Sequence, residues 1–215
     1  MEITYLGHSA FKIKTTTATV VTDPYADSIG IKFPKIDADI VTISHEHGDH
    51  NNISGVNNVK KVLDGPGEYE VMGVSVIGLA SFHDDKKGAE RGLNTIYLFE
   101  AEGLRLVHFG DLGHTLSEKF YENLGDVDIA MIPVGGVYTI NSAQAVEIIK
   151  ALEPAVTIPM HYQTKGLDPK SYGDLAGAEK FTEELGFATS NETKLKIKKS
   201  DIMEDQKVVV LENKT

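Results

Sequence analysis

The sequence predicts a layered α/β fold, two β-sheets packed together with helices on their outer faces. Three observations lead there. The first half is a succession of short runs rich in Val, Ile and aromatic residues, punctuated by Gly, Asp or Pro. The second half alternates such runs with helical segments. No Pro-, Ser- or charge-rich linker divides the 215 residues, so one domain spanning residues 1–215 is expected.

Strands are expected over residues 2–6, 10–14, 18–22, 38–43, 59–63, 71–80 and 94–100, with a further one running from Leu104 towards Gly110. Gly7-His8-Ser9 and Glu102-Gly103 read as the turns of two hairpins. Residues 127–134 and 155–160 look like buried strands. Between them Asn141 and Gln144 have capping-box spacing at the head of a helix that runs to about Leu152 and is stopped by Pro154. Thr115 and Glu118 repeat that spacing before a short helix over 119–124, and Asp174 to Leu185 reads as a third helix ended by Gly186. Strands at 193–199 and 207–211 close the chain. In the first of these, Lys194, Lys196 and Lys198 alternate with Leu195 and Ile197, the pattern of an exposed edge strand protected by charge.

A net charge of −11 disfavours a nucleic-acid partner held by counterion release, so none is expected. The absence of Cys removes disulfides, thiolate ligands and thiol nucleophiles, so any metal site must be built from His and carboxylates. Met1 to Leu6 reads as a strand rather than a signal peptide, and no apolar run reaches membrane-spanning length. A cytoplasmic location without membrane association is the expectation.

The chemistry concentrates in His45-Glu46-His47-Gly48-Asp49-His50, which follows the β-branched run ending at Ile43 and so sits where a strand gives way to a loop. Imidazole nitrogen and carboxylate oxygen suit zinc, iron or manganese. His8, His83, His108, Asp111 and His161 are further ligand types at strand ends, where loops converge. His108 shares the strand parity of Gly110 rather than Asp111 and reads as a core residue. The zincin motif H-E-x-x-H is ruled out because position 49 is Asp, which leaves Glu46 as a solvated loop residue. Gly65-Pro66-Gly67 and Gly135-Gly136 lack phosphate-cradle spacing, and Ser44, Ser81 and Ser142 lack the G-x-S-x-G context of a serine nucleophile.

His45-x-His47-x-Asp49-His50, then His83, then Gly110-Asp111, then Pro159-Met160-His161-Tyr162 resemble, in order and placement, the five-motif pattern of the metallo-β-lactamase fold superfamily from about residue 3 to 165. Leu6-Gly7-His8-Ser9, Gly67-Glu68-Tyr69-Glu70, Gly110-Asp111-Leu112-Gly113-His114 and Pro133-Val134-Gly135-Gly136 are similar to its small stand-alone metal-dependent hydrolases, near the sugar-lactone hydrolases. The resemblance implies a four-layer αββα sandwich holding two divalent metal ions, with zinc favoured over manganese or iron. It assigns His45, His47 and His83 to the first ion, Asp49, His50 and His161 to the second, and Asp111 to a bridge between them. The implied activity is hydrolysis of a small-molecule ester, lactone or phosphodiester by a metal-bridging hydroxide that Asp49 orients. His8 or His114 is then the candidate donor of a proton to the leaving group. His8 stands equally as a substrate contact or extra ligand, and His114 as a helix-entry cap. Tyr138, Thr139 and Tyr162 are candidate pocket hydroxyls. The alternatives are an iron-dependent oxidoreductase of the same fold and a noncatalytic metal-binding protein.

Overall fold

The computed structural model describes residues 1–213. Its strands and helices begin with Glu2–Gly7 (β1), Ala10–Lys14 (β2), Thr19–Thr22 (β3), Ile36–Asp37 (β4), Ile40–Thr42 (β5), Val56–Asn57 (β6) and Lys61–Leu63 (β7). Gly67–Val71 (β8), Val74–Phe82 (β9), Leu93–Ala101 (β10) and Leu104–His108 (β11) follow, then Glu118–Leu124 (α1), Ile129–Pro133 (β12), Ser142–Leu152 (α2) and Val156–Met160 (β13). Pro169–Tyr172 (α3), Ala178–Leu185 (α4), Ala188–Glu192 (β14), Leu195–Lys196 (β15) and Lys207–Leu211 (β16) complete them.

Two sheets dominate, a six-stranded one in the order β15-β1-β2-β3-β5-β7 and an eight-stranded one in the order β14-β16-β13-β12-β11-β10-β9-β8. In the first, β2 runs antiparallel to its neighbours β1 and β3, and β3, β5 and β7 are parallel. In the second, β8 to β11 form an antiparallel meander and β11, β12, β13 and β16 run parallel. Neighbouring residues of the first sheet part company. Ile3, Tyr5, Ile13, Val20 and Ile40 join the main core with the second sheet, whereas Leu6, Val21, Val41 and Ile43 belong to a separate cluster with Tyr25, Ile29, Leu167 and Leu175. That division is the two-residue period of a strand covered on both faces. Helices α2 and α4 pack on each other and on β12 and β13, forming the outer layer of the second sheet. The layer over the first sheet is thinner, made of the 3-10 turn Asp27–Ile29, α3 and the loops around them. This is the αββα order the sequence implies.

Both expected hairpin turns are present, and Asn141 and Gln144 form the expected reciprocal cap of α2. Four expectations need correction. The run 71–80 is two strands, because Met72 (φ +52°) and Gly73 (φ +76°) form a tight turn with two left-handed residues, so β8 and β9 are a hairpin of their own. The helix expected over 174–185 begins only at Ala178, since Leu175 leaves the helical path to bury itself against the first sheet. Ser117, not Thr115, caps α1, its Oγ accepting from Phe120 N at 3.3 Å. The edge strand 193–199 shrinks to Leu195–Lys196, although Lys194 and Lys196 do stand at the edge of the first sheet, both facing Glu2. Strand β14 has no counterpart among the expected elements because Ala-Thr-Ser-Asn-Glu has no apolar alternation to read. Among the described residues no helix is long and apolar enough to cross a membrane.

Tyr97 ties the sheets together on the side where the site forms. Its buried hydroxyl, carried by β10, faces the carbonyl oxygens of Ile43 at 3.0 Å and Leu63 at 2.9 Å, at the ends of β5 and β7. Tyr97→Phe should therefore lower unfolding free energy by about 1 kcal/mol, the usual value of one buried hydrogen bond, read as a lower urea midpoint at unchanged m-value.

Candidate metal centre

Strands β1, β3 and β5 point the same way in the first sheet, as do β9, β11, β12 and β13 in the second. The site is built beyond their carboxyl ends, the usual place for a ligand crevice in parallel sheets. His8 follows β1, Asp23 follows β3, the hexapeptide follows β5, His83 follows β9, Asp111 follows β11 and His161 follows β13. His161 N donates to His8 O at 2.8 Å, so the two sheets touch at the site itself. His8, Asp23 and His161 all have left-handed backbone, at φ +55°, +40° and +50°. Non-glycine residues hold that conformation only where their surroundings dictate it.

Asp23 is fully buried and organises the hexapeptide. Its carboxylate accepts from Ser44 N at 2.8 Å, from Ser44 Oγ at 2.6 Å and from His50 Nδ1 at 2.9 Å. Because the single hydroxyl proton of Ser44 goes to Asp23, the 2.9 Å contact between Ser44 Oγ and His45 Nδ1 has the imidazole as donor. One carboxylate thus fixes the proton on Nδ1 of both rings, so that each ring in its neutral form presents an Nε2 lone pair. These two Nε2 atoms are buried without a hydrogen-bond partner.

They converge on Asp111. A single oxygen, Oδ2, lies 3.2 Å from His50 Nε2, 3.2 Å from His161 Nε2, 3.5 Å from His83 Nε2 and 4.0 Å from His45 Nε2. Asn94, itself buried, holds the loop by accepting from Asp111 N at 2.9 Å and donating to Phe109 O at 2.9 Å. Glycines let backbones close in around the ring. A Cβ on Gly113 would collide with the His83 backbone, and one on Gly135 with His161 O. Asp49 stands beside this ring, its Oδ2 accepting from His8 Nε2 at 3.1 Å and Tyr172 Oη at 3.0 Å.

The electrostatics call for a cation. Burial opposes charge on Asp23, Asp49 and Asp111, yet the surrounding imidazoles hold all three carboxyls below their ordinary range. Among the described residues none of the three is paired with Lys or Arg. Burial, reinforced by neighbouring rings, lowers His8 to about 4 and His45 to about 3, and His83 is lowered for the same first reason. Those rings are neutral near pH 7, and His45 Nε2 has no hydrogen-bond partner and is open to coordinate, whereas His8 Nε2 is engaged by Asp49. His50 goes the other way: burial again works against its charge, but Asp111, Asp49 and Asp23 raise it well above the usual value. Positive charge is wanted where its Nε2 meets Asp111. Buried lone pairs facing a carboxylate oxygen suit a divalent ion of the zinc, manganese or iron type.

His45, His47 and His83 bring ligand atoms within 4.8 Å of one another, and so do His8, Asp49, His50 and His161. All seven residues of the expected metal set are therefore gathered in one place. His8 is fully buried behind Asp49 and does not line the cleft of about 260 Å³ that opens onto the cluster. His114 is outside that cleft as well, with Nδ1 donating to Thr115 O at 2.8 Å and Nε2 accepting from Phe82 N at 3.2 Å. His108 is a satisfied core residue between Ser9 O and Gly110 N, and Glu46 is exposed, accepting from Asn51. Tyr138 lines the cleft, whereas Tyr162 is buried and stacks on Tyr5.

The amino-terminal three quarters of the chain, residues 2–161, match the profile of the β-lactamase superfamily domain. This chain belongs to the metallo-β-lactamase superfamily. A relative from Methanopyrus kandleri called a UPF0173 metal-dependent hydrolase is 28% identical, over 87% of this chain and 94% of its own length. A UPF0173 protein from Pyrococcus abyssi is 33% identical over 77% of this chain and 85% of its own. A solved structure from Thermotoga maritima, described as a Zn-dependent hydrolase of the metallo-β-lactamase superfamily, superposes with a TM-score of 0.79 at 35% identity, covering 98% of this chain and 97% of its own.

Within this superfamily member, the sequence alone does not single out Asp23, Ser44 as a relay, Asn94, Arg91 or Tyr172. Asp23 carries the same signal as the other acids, a ligand type just beyond a β-branched strand. Tyr172 has none, being brought to Asp49 by the packing of α3. Ser44→Ala should weaken zinc binding roughly tenfold and Asp23→Asn towards 100-fold, the range for losing partners that orient a ligand, as read by chelator competition. Unchanged affinity in both would mean that the Asp23–Ser44 relay does not set the tautomers.

Proposed function

We propose that this protein is a dinuclear metal-dependent hydrolase of small ester, lactone or phosphodiester substrates. The observation that carries the reading is Asp111 Oδ2, one carboxylate oxygen faced by four imidazole nitrogens with no Lys or Arg beside it among the described residues. The relatives called metal-dependent hydrolases and the Zn-dependent description of the Thermotoga protein support it. His45, His47 and His83 would hold one ion, Asp49, His50 and His161 the other, with Asp111 between them. Zinc suits this thiol-free set. A pair of such ions supplies Lewis acidity and water that ionises near neutral pH.

This chain's own groups then do the positioning. Asp49 lines the cleft with Oδ2 held by His8 and Tyr172, so its carboxylate has a fixed direction in which to accept a proton from the attacking water. His8 acts through Asp49: its Nε2 is occupied and its ring closed off from the cleft, which makes it a positioning residue rather than the leaving-group acid. With both nitrogens engaged, His114 also has no free proton to give. A cleft of about 260 Å³ is in keeping with a small-molecule substrate.

Elemental analysis at saturation should show two ions per chain, and their removal should lower the melting temperature, since an ion bound only by the folded state stabilises it. At most one ion per chain would refute the dinuclear assignment. Asp111→Asn should reduce occupancy of both positions, because it removes the charge between two dications. Asp49→Asn should keep most of the metal and lose nearly all hydrolysis on lactone, ester and phosphodiester panels. Oxygen-dependent turnover by an iron-loaded protein with no hydrolysis on any panel would favour an oxidoreductase instead.

A further inference from the structure

Apart from imidazoles, the residues named around the cleft are acids and hydroxyls, with a single exception. Arg91 stands at the mouth, exposed, among His47, His83, Tyr138 and Ser171. The chain has only two arginines. Arg105 is committed, to Glu100 at 2.6 Å and to Leu124 O at 2.7 Å. Arg91 has no carboxylate partner among the described residues: its guanidinium lies 5.9 Å from the Tyr138 ring centroid and touches Val137 O at 3.5 Å.

The position is built rather than incidental. Asp84, next to His83 and nearly inaccessible, accepts from the backbone N–H groups of Lys86 at 2.8 Å, Gly88 at 2.8 Å, Glu90 at 2.9 Å and Arg91 itself at 2.7 Å. Gly92 O, one residue on, accepts from His83 N at 3.0 Å. The base of Arg91 is therefore clamped beside the metal cluster, through Asp84, the neighbour of His83 in sequence, and Gly92, its neighbour in hydrogen bonding. On the opposite wall Tyr138 is pinned by its hydroxyl to Ser171 O at 2.7 Å, and Val137, a β-branched residue at φ +60°, turns its carbonyl to the guanidinium. Stacking on an aromatic face and one long contact leave most of the five N–H donors open, in the planar fork that matches a carboxylate or phosphate.

Resting on the hydrolase reading, we infer that Arg91 is the anion-binding arm of this cleft, and that the substrate carries a carboxylate or phosphate group set apart from the bond that is cleaved. The cluster would take the scissile group and Arg91 the remote charge, so one end of the molecule is held while the other reacts.

Two measurements test this. The first is hydrolysis by zinc-loaded protein of p-nitrophenyl butyrate and of p-nitrophenyl hemiglutarate, which differ by a terminal carboxylate. The wild type should prefer the charged ester, and Arg91→Ala should reduce that preference about tenfold through KM, the scale of one charge-assisted contact, with Arg91→Lys in between and metal content equal to wild type. The second is calorimetric titration with glutarate and with phenyl phosphate, where Arg91→Ala should raise the Kd about tenfold for whichever anion the arm takes. The stronger of the two names the group. Equal affinity in wild type and Arg91→Ala, or no binding of either anion, overturns the inference, and continued ester hydrolysis would then leave the hydrolase reading standing. Anion binding lost in Arg91→Ala, with neither ester hydrolysed, would do the reverse.

Discussion

The buried carboxylate of Asp23 is the constraint on which the rest of the centre depends. It accepts three hydrogen bonds from two residues of one loop, and two of them decide which nitrogen of His45 and His50 carries a proton. Without that decision the rings could each turn an N–H towards Asp111 and close the cluster as an ordinary hydrogen-bond network. With it, lone pairs and carboxylate oxygen meet at distances that only a cation makes comfortable. The cost is a charged group with no access to water, tolerable because it accepts three hydrogen bonds and because nearby rings share the charge.

Precision at the centre comes from backbone as much as from side chains. Three of its residues sit in left-handed conformation, and glycines at 113 and 135 remove atoms where two backbones pass. Asn94 plays the complementary role in the second sheet, holding the loop that carries Asp111 much as Asp23 holds the one that carries the hexapeptide. Each sheet therefore carries its own polar anchor, and the bond from His161 N to His8 O joins the two.

Much of this is legible in the sequence for a specific reason. Metal donors are few residue types, and a strand that ends in one is conspicuous, so residue type and placement point to the donors that gather here, while only the resemblance to the metallo-β-lactamase superfamily separates a set of seven from His8 and His108. The β-branched runs ending at Thr22, Ile43 and Met160 are unambiguous in the same way. The run 174–185 misleads because its register looks helical throughout while Leu175 has a better place against the first sheet. Strand β14 pairs through its backbone alone and leaves no trace in side-chain pattern. Tyr172 and Arg91 are out of reach for a third reason: their meaning lies in what they face, and that is settled by loops packing on loops.

Chain order gives the centre a timetable. The donors enter from His45 to His161, and the last of them is carried by a central strand of the second sheet, flanked by β12 and by β16 near the end of the described chain. A polypeptide still emerging from a ribosome can present the hexapeptide early, but the ring around Asp111 closes only after β13 has docked, and long-range parallel pairing of that kind is slow. The complete cluster is thus reserved for chains that have finished the second sheet. A nascent or misfolded copy offers the hexapeptide without Asp111, His83 and His161 beside it, which makes the complete cluster a mark of finished folding.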